Sequence, residues 1–255
     1  MAMNQNVRKL RKILGIGMLL VSALLKVTTY ASEGVPQEDK KVAHPFTVCI
    51  DPGHQAKGDS KTEPIAPGSS QRKARVASGT AGVATKKAEY VVNLEAALKL
   101  KELLVEQGYT VVMTRETHDV NISNAERAQL ANTKKADMTI RIHCDSIANG
   151  GKTGATIIVP AKEGHYTQAI YPKSYAFATC LKEALEESSV KVNGIFERSD
   201  MTGFNWSTVP VVILEMGFMS NYQEDQMLSD PSYQQKLMQA TTKALGVYRD
   251  NQTQK

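Results

Sequence analysis

The feature that most constrains this chain is an alternation of β-type runs with helical periodicity, from residue 46 almost to its end. Phe46–Ile50 is a short β-type run, closed by the turn signal of Asp51, Pro52 and Gly53. From about Ala88, the residues Val91, Leu94, Leu98, Leu104 and Val105 form an apolar stripe that Gly108 ends. Tyr109–Met113 reads as a strand. Ser123–Glu126 is a capping box that opens a helix to about Lys134. Met138–Ile142 and Ala155–Val159 read as strands and Lys173–Glu187 as a helix. Val209–Leu214 is nearly all apolar, as a buried central strand requires. Asp230 and Pro231 then open a closing amphipathic helix marked by Tyr233, Leu237, Ala240, Ala244 and Val247. This order predicts one α/β domain with a largely parallel sheet. Gln55–Lys87, rich in Gly, Ser, Pro, Thr and Lys, is expected to be a long functional or mobile loop.

In such sheets ligands sit beyond the carboxyl ends of the strands. Three predicted strands end at or near a group able to bind metal or move a proton: Ile50 before His54, Ile142 before His143, and Leu214 before Glu215. With Glu89, the topology can gather these groups at one sheet edge. Two imidazoles and a carboxylate make a catalytic zinc set with a fourth position for water, and a further carboxylate supplies acid–base work. On pattern alone, a histidine at a strand end is more often an ordinary hydrogen-bonded polar residue than a metal ligand.

The charge balance excludes a nucleic-acid partner. The chain carries 31 Lys and Arg against 26 Asp and Glu, but Arg8, Lys9, Arg11, Lys12 and Lys26 all lie in residues 1–31, which hold no acid. The remainder has 26 of each sign, so nothing draws it to a phosphate backbone. Residues 1–31 read as an export signal: a basic start, the mostly apolar Ile13–Leu25, and small residues at Thr29 and Ala31. The rival reading is an uncleaved anchor, which Lys26 interrupts early for a span of ~20 residues. Residues 32–45 are expected to be a polar tether, 46–250 the folded domain and 251–255 a tail. The body is thus expected outside the cytoplasmic membrane, extracellular or wall-associated, touching a membrane only through an uncleaved leader. Cys49, Cys144 and Cys180 form no C-x-x-C pair and read as small buried apolar residues.

Several runs resemble one family. Val48–Gln55, Lys87–Glu116, Ser123–Asn132, Ile140–Ser146 and Val209–Asn221 match, in order and spacing, the zinc-dependent N-acetylmuramoyl-L-alanine amidases. Arg198–Pro210 also resembles that family. The resemblance implies zinc held by His54, Glu89 and His143, with Glu215 as the catalytic carboxylate. It implies a mixed six-stranded sheet flanked by helices and peptidoglycan as substrate; the chain is expected to act as a monomer. Two departures bear on subsite preference: Gln55 and Ala56 stand where many members carry two glycines, and Arg141, His143 and Asp145 stand where many carry Ser, His and Asn. Asp51 and Asp145 are candidates to orient the imidazoles, although Asp51 is equally a turn residue.

Other expectations concern the surroundings of the site. Arg198 is a candidate for a substrate carboxylate, and Asn205 and Trp206 for further substrate contacts. Trp206 could instead plug the core. His44, His118 and His165 read as exposed and uninvolved, and Glu95 and Glu102 as a solvated helix face. Some relatives carry an extra helix between the third and fourth motifs that plugs the site. The predicted strand and helix account for much of the 72 positions from His143 to Glu215 and no spare helix is evident, so an open groove active without a partner is expected. The reaction implied is hydrolysis of the amide between N-acetylmuramic acid and L-alanine. The alternatives are a zinc peptidase cutting inside the stem peptide and a non-catalytic wall-binding module.

Overall fold

The computed structural model describes residues 45–253. The expected leader, most of the tether and His44 lie outside these residues. The chain order is β1 (Thr47–Pro52), β2 (Asp59–Pro64), β3 (Arg72–Val76), α1 (Glu89–Glu106), β4 (Thr110–Met113), α2 (Asn124–Thr133) and β5 (Met138–Asp145). It continues with β6 (Ala155–Pro160), α3 (Tyr171–Glu187), β7 (Val192–Arg198), α4 (Thr202–Asn205), β8 (Val211–Phe218), α5 (Tyr222–Leu228) and α6 (Pro231–Thr253). Six strands form one sheet in the order β4-β1-β5-β8-β6-β7. The first four are mutually parallel; β6 runs antiparallel to β8 and parallel to β7. The sheet is therefore mixed and mostly parallel, flanked by helices.

Local signals explain the element ends. Ser123 accepts from the Glu126 amide while Glu126 bonds back to the Ser123 amide, the reciprocal cap expected at α2. Gly108, at φ 79°, takes the left-handed position that stops α1. Asp230 accepts from the Ser232 amide at 2.7 Å and starts α6. That helix runs to Thr253, so three residues of the expected tail are helical.

Side chains alternate across the central strands, so each has two faces. One face carries Val48, Ile50, Ile140, Ile142, Val212 and Leu214 into the main core, against Leu100, Leu104, Leu181 and Leu245. The other carries Asp51, Arg141, His143 and Glu215, with α2, α4 and only small apolar clusters beside it. The expected loop Gln55–Lys87 is a correction. It contains the antiparallel hairpin β2–β3, which packs near α2. Its strands are largely exposed and rich in Lys, Arg and Thr, so the apolar periodicity that marks a buried strand is missing. The edge strand β7 and helix α5 also lay outside the expected elements. Among the described residues no helix is long and apolar enough to cross a membrane. The three thiols are unpaired; Cys49 and Cys144 are buried and Cys180 half-buried.

Candidate metal centre and active site

The chain crosses the sheet so that β4 and β5 lie on opposite sides of β1. That reversal opens a crevice at the carboxyl ends of β1 and β5. His54 follows β1 directly, His143 lies near the end of β5, and Glu89 is the first residue of α1. The strands extend beyond the expected ends: His143 and Glu215 sit within β5 and β8, paired in register. In-register neighbours on adjacent parallel strands lie ~4.8 Å apart and point to the same face, which sets Glu215 beside His143.

His54, Glu89 and His143 converge. Their ligand atoms lie within 4.8 Å of one another. Glu89 Oε1 stands 3.2 Å from His54 Nε2 and 3.3 Å from His143 Nδ1. The Ala77 carbonyl, 2.8 Å from His54 Nδ1, can only accept a proton, so Nδ1 carries it and Nε2 presents a lone pair to the carboxylate. A cation between such groups relieves their repulsion. A four-coordinate divalent ion with bonds of ~2.0–2.1 Å has a ligand–ligand edge of about 3.3 Å, which these separations match. Burial drives His143 down to about 4, against the pull of Glu89, so its imidazole is neutral as a metal ligand must be. Burial opposes ionisation of Glu89, but the two neighbouring histidines outweigh it and hold the carboxyl far below its ordinary range. Glu89 Oε2 also accepts from the Thr80 amide at 3.0 Å, and Oε1 from the Asn93 side chain and the Cys144 amide.

A buried basic cluster fixes the first histidine. His54 has φ 60°, a left-handed conformation costly for a residue with a Cβ. Arg127 donates to the His54 carbonyl at 3.0 Å and the Pro52 carbonyl at 2.9 Å, and Arg115 to the Gly53 carbonyl at 3.0 Å. Gly53 must lack a side chain, because a Cβ there would overlap the His143 ring. Asp51 accepts from Arg127 and Arg141 at 2.7 Å each and from Thr114 at 2.6 Å. Burial raises Asp51, but the two guanidiniums and the hydroxyl outweigh it and hold the carboxyl well below the usual range. Burial, then the Arg127 charge, bring Arg115 down to about 10, still a cation at neutral pH. Asp51 thus organises arginines rather than an imidazole, and the His54 orienting group is a backbone carbonyl. Asp145 contacts the Ser146 amide.

Glu215 differs from Glu89. Its Oε2 is buried without a hydrogen-bond partner, as is His143 Nε2. Burial, with Glu89 and Asp145 adding to it, raises its carboxyl well above the ordinary value, while Arg141 opposes. Such a carboxyl holds a proton more readily than an ordinary one, as a group that must take up a proton requires. Both histidines and Glu215 border a cavity of about 290 Å³ that Arg141, Asn124, Gly203 and, from the hairpin, Lys73 also line.

The three expected substrate residues are engaged within the fold. Arg198 is exposed and bonded to Asp200 through Nε at 2.8 Å and Nη2 at 2.9 Å. Asn205 is buried and donates to the Ser199 carbonyl. Trp206 donates from Nε1 to the Pro64 carbonyl at 2.9 Å, tying α4 to the hairpin. None of the three lines the cavity. No plugging helix lies between β5 and β8: α3 packs beside α6 on the apolar face, and α4 is a four-residue turn. His165 is exposed as expected, but His118 is half-buried, edge-on to the Tyr90 ring. Glu95 is bound by Lys87 and Gln234. Sequence reading gave no role to Arg115 and Arg127 and marked Arg141 only as a departure from the family's serine; the alternation of Ile140, Arg141, Ile142 and His143 was the available signal for where it points.

A sequence-family profile described as N-acetylmuramoyl-L-alanine amidase matches residues 48–246. The chain is 26% identical over 202 residues to the probable cell wall amidase LytH of Staphylococcus saprophyticus, covering 79% of this chain and 58% of that protein. It therefore spans less than two thirds of that relative. It is 26% identical over 217 residues to the N-acetylmuramoyl-L-alanine amidase Rv3717 of Mycobacterium tuberculosis, covering 82% and 88%. The crystal structure of the N-acetylmuramyl-L-alanine amidase Ami1 from Mycobacterium abscessus superposes with a TM-score of 0.72 at 25% identity, over 80% of this chain and 98% of that one.

Proposed function

This chain belongs to the N-acetylmuramoyl-L-alanine amidase family, and from that premise we propose that it is a zinc-dependent hydrolase of peptidoglycan. The bond cleaved is the amide between the lactyl group of N-acetylmuramic acid and L-alanine. The observation that carries this reading is the convergence of His54, Glu89 and His143 beside an unpartnered, buried Glu215.

His54, His143 and Glu89 would hold the metal, with Nε2, Nδ1 and Oε1 the atoms that face one another. When bound, zinc lowers the pKa of its water and polarises the scissile carbonyl. Glu215 takes the water proton on Oε2 and returns it to the departing alanine nitrogen. Its raised pKa favours uptake of that proton. The half-buried walls limit bulk water, which strengthens each electrostatic contact. All four groups come from one chain, which supports action as a monomer. The substrate lies outside the cytoplasmic membrane, and the export reading of residues 1–31 agrees with that location.

Mass spectrometry of digested peptidoglycan tests the reaction. Stem peptides with a free amino-terminal L-alanine, and intact sugars, are expected. Cleavage inside the stem would make the chain a peptidase. Wall binding without turnover would make it a binding module.

A further inference from the structure

Building on the amidase reading, we propose that Arg141 is a specificity-determining residue whose Nη1 receives the α-carboxylate of the second stem-peptide residue. Arg141 is 5% exposed and lines the cavity with His54, His143 and Glu215. Its Nε donates to Asp51 at 2.7 Å and its Nη2 to Asn124 Oδ1 at 2.8 Å. These two bonds fix the guanidinium plane. Nη1 has no hydrogen-bond partner among the described residues. It stands against Gly203, where a Cβ would overlap it, so the backbone of α4 leaves room for this donor only with glycine at that place.

Charge points to an anion. Asp51 is the one acid bonded to Arg141, and it also answers Arg127; Arg115 beside them bonds only to carbonyls. The cluster beneath the cavity is therefore rich in positive charge. Lys73 at the rim differs, because Asp200 neutralises it at 2.9 Å. A buried cation with an open donor is stabilised most by a ligand carboxylate.

Geometry and substrate chemistry say which carboxylate. Arg141 and His143 share one face of β5 two residues apart, about 7 Å at ~3.3 Å per residue. An extended peptide advances by nearly the same step. With the scissile amide at the His and Glu cluster, a group two residues along the stem reaches Arg141. On the sugar side the lactyl carboxyl is consumed in the amide and carries no charge. On the peptide side the second residue is a γ-linked D-glutamate, whose α-carboxyl is ionised when free and neutral when amidated.

The test compares two substrates, N-acetylmuramoyl-L-alanyl-γ-D-glutamyl-L-lysine and its α-carboxamide. The wild-type protein should cleave the free acid with kcat/KM about tenfold higher or more. Arg141→Met should bring the ratio close to one. Because Asp51 also depends on Arg141, Gly203→Ala serves as a second variant: it displaces Nη1, leaves the Arg127 pair in place, and should lower the same ratio. A wild-type ratio near one, or a preference for the amide, overturns the proposal. If neither substrate is cleaved, the amidase reading fails on its own. Calorimetry with the tripeptide L-alanyl-γ-D-glutamyl-L-lysine and its α-carboxamide then decides: tighter binding of the acid supports the Arg141 site, and equal binding removes it.

Discussion

The two faces of the central strands are built on opposite principles. On one, Ile140, Ile142, Val212 and Leu214 meet the apolar sides of α1, α3 and α6. On the other, Asp51 and Arg141 are nearly as well hidden as the isoleucines, yet they make charge-assisted hydrogen bonds, and Arg141 borders the cavity of the candidate site. The apolar face is tolerant chemistry: any well-packed side chains would hold the sheet. The polar face is intolerant, because each buried charge there depends on a named partner. Placing the two back to back on the same strands lets a rigid core fix the positions of His143 and Glu215 without taking part in the reaction.

The largest expected effect breaks the polar face. Asp51→Ala strands two buried guanidiniums and should cost about 3–5 kcal/mol of stability, read as a lower denaturation midpoint. The same group sets an acid limit. The folded Asp51 pKa lies below its unfolded value near ~3.9. Its contribution is therefore present above that pH and is lost as pH falls through the folded value. The wild-type protein should lose stability below about pH 4, and a melt series across pH should show that slope weakened in the variant.

Next comes the apolar face. Leu181→Ala, on α3 and fully buried, should cost about 2–5 kcal/mol, because a cavity is left behind. Metal content and rate per folded molecule should stay close to wild type. A large loss of metal from this variant would show that the two faces are not separable.

A smaller effect is expected at the hairpin. Trp206→Phe removes one hydrogen bond to Pro64 and should cost ~1 kcal/mol. Hydrogen exchange should rise in residues 59–76 while the central strands stay protected. A raised KM with kcat retained would place the hairpin in substrate binding rather than in the chemistry.

The sequence reading succeeded where local physics and side-chain periodicity agree. The capping box at Ser123, the stop at Gly108 and the apolar run before Glu215 are each readable in a few residues. His54, Glu89, His143 and Glu215 were legible as a set chiefly because several ordered motifs resemble one family; spacing alone left them ordinary. The hairpin was missed because its outward side chains are polar and its pairing is set by its neighbours. Arg198, Asn205 and Trp206 looked available for substrate because sequence does not show partners. In the fold, Asp200, the Ser199 carbonyl and the Pro64 carbonyl occupy them. Asp51 could not be told from a turn residue until Arg127 and Arg141 arrived from 76 and 90 positions away.

The central claim is that two glutamates at one site, Glu89 and Glu215, do different work. Its direct test is zinc content and initial rate on purified Glu89→Ala and Glu215→Gln, measured beside wild type. Wild type should hold about one zinc per chain. Glu89→Ala should lose zinc and activity together. Glu215→Gln should keep the zinc while its rate falls by ~10²-fold or more, since the amide cannot take the proton. A near-normal rate for Glu215→Gln, or loss of zinc from that variant alone, would contradict the account.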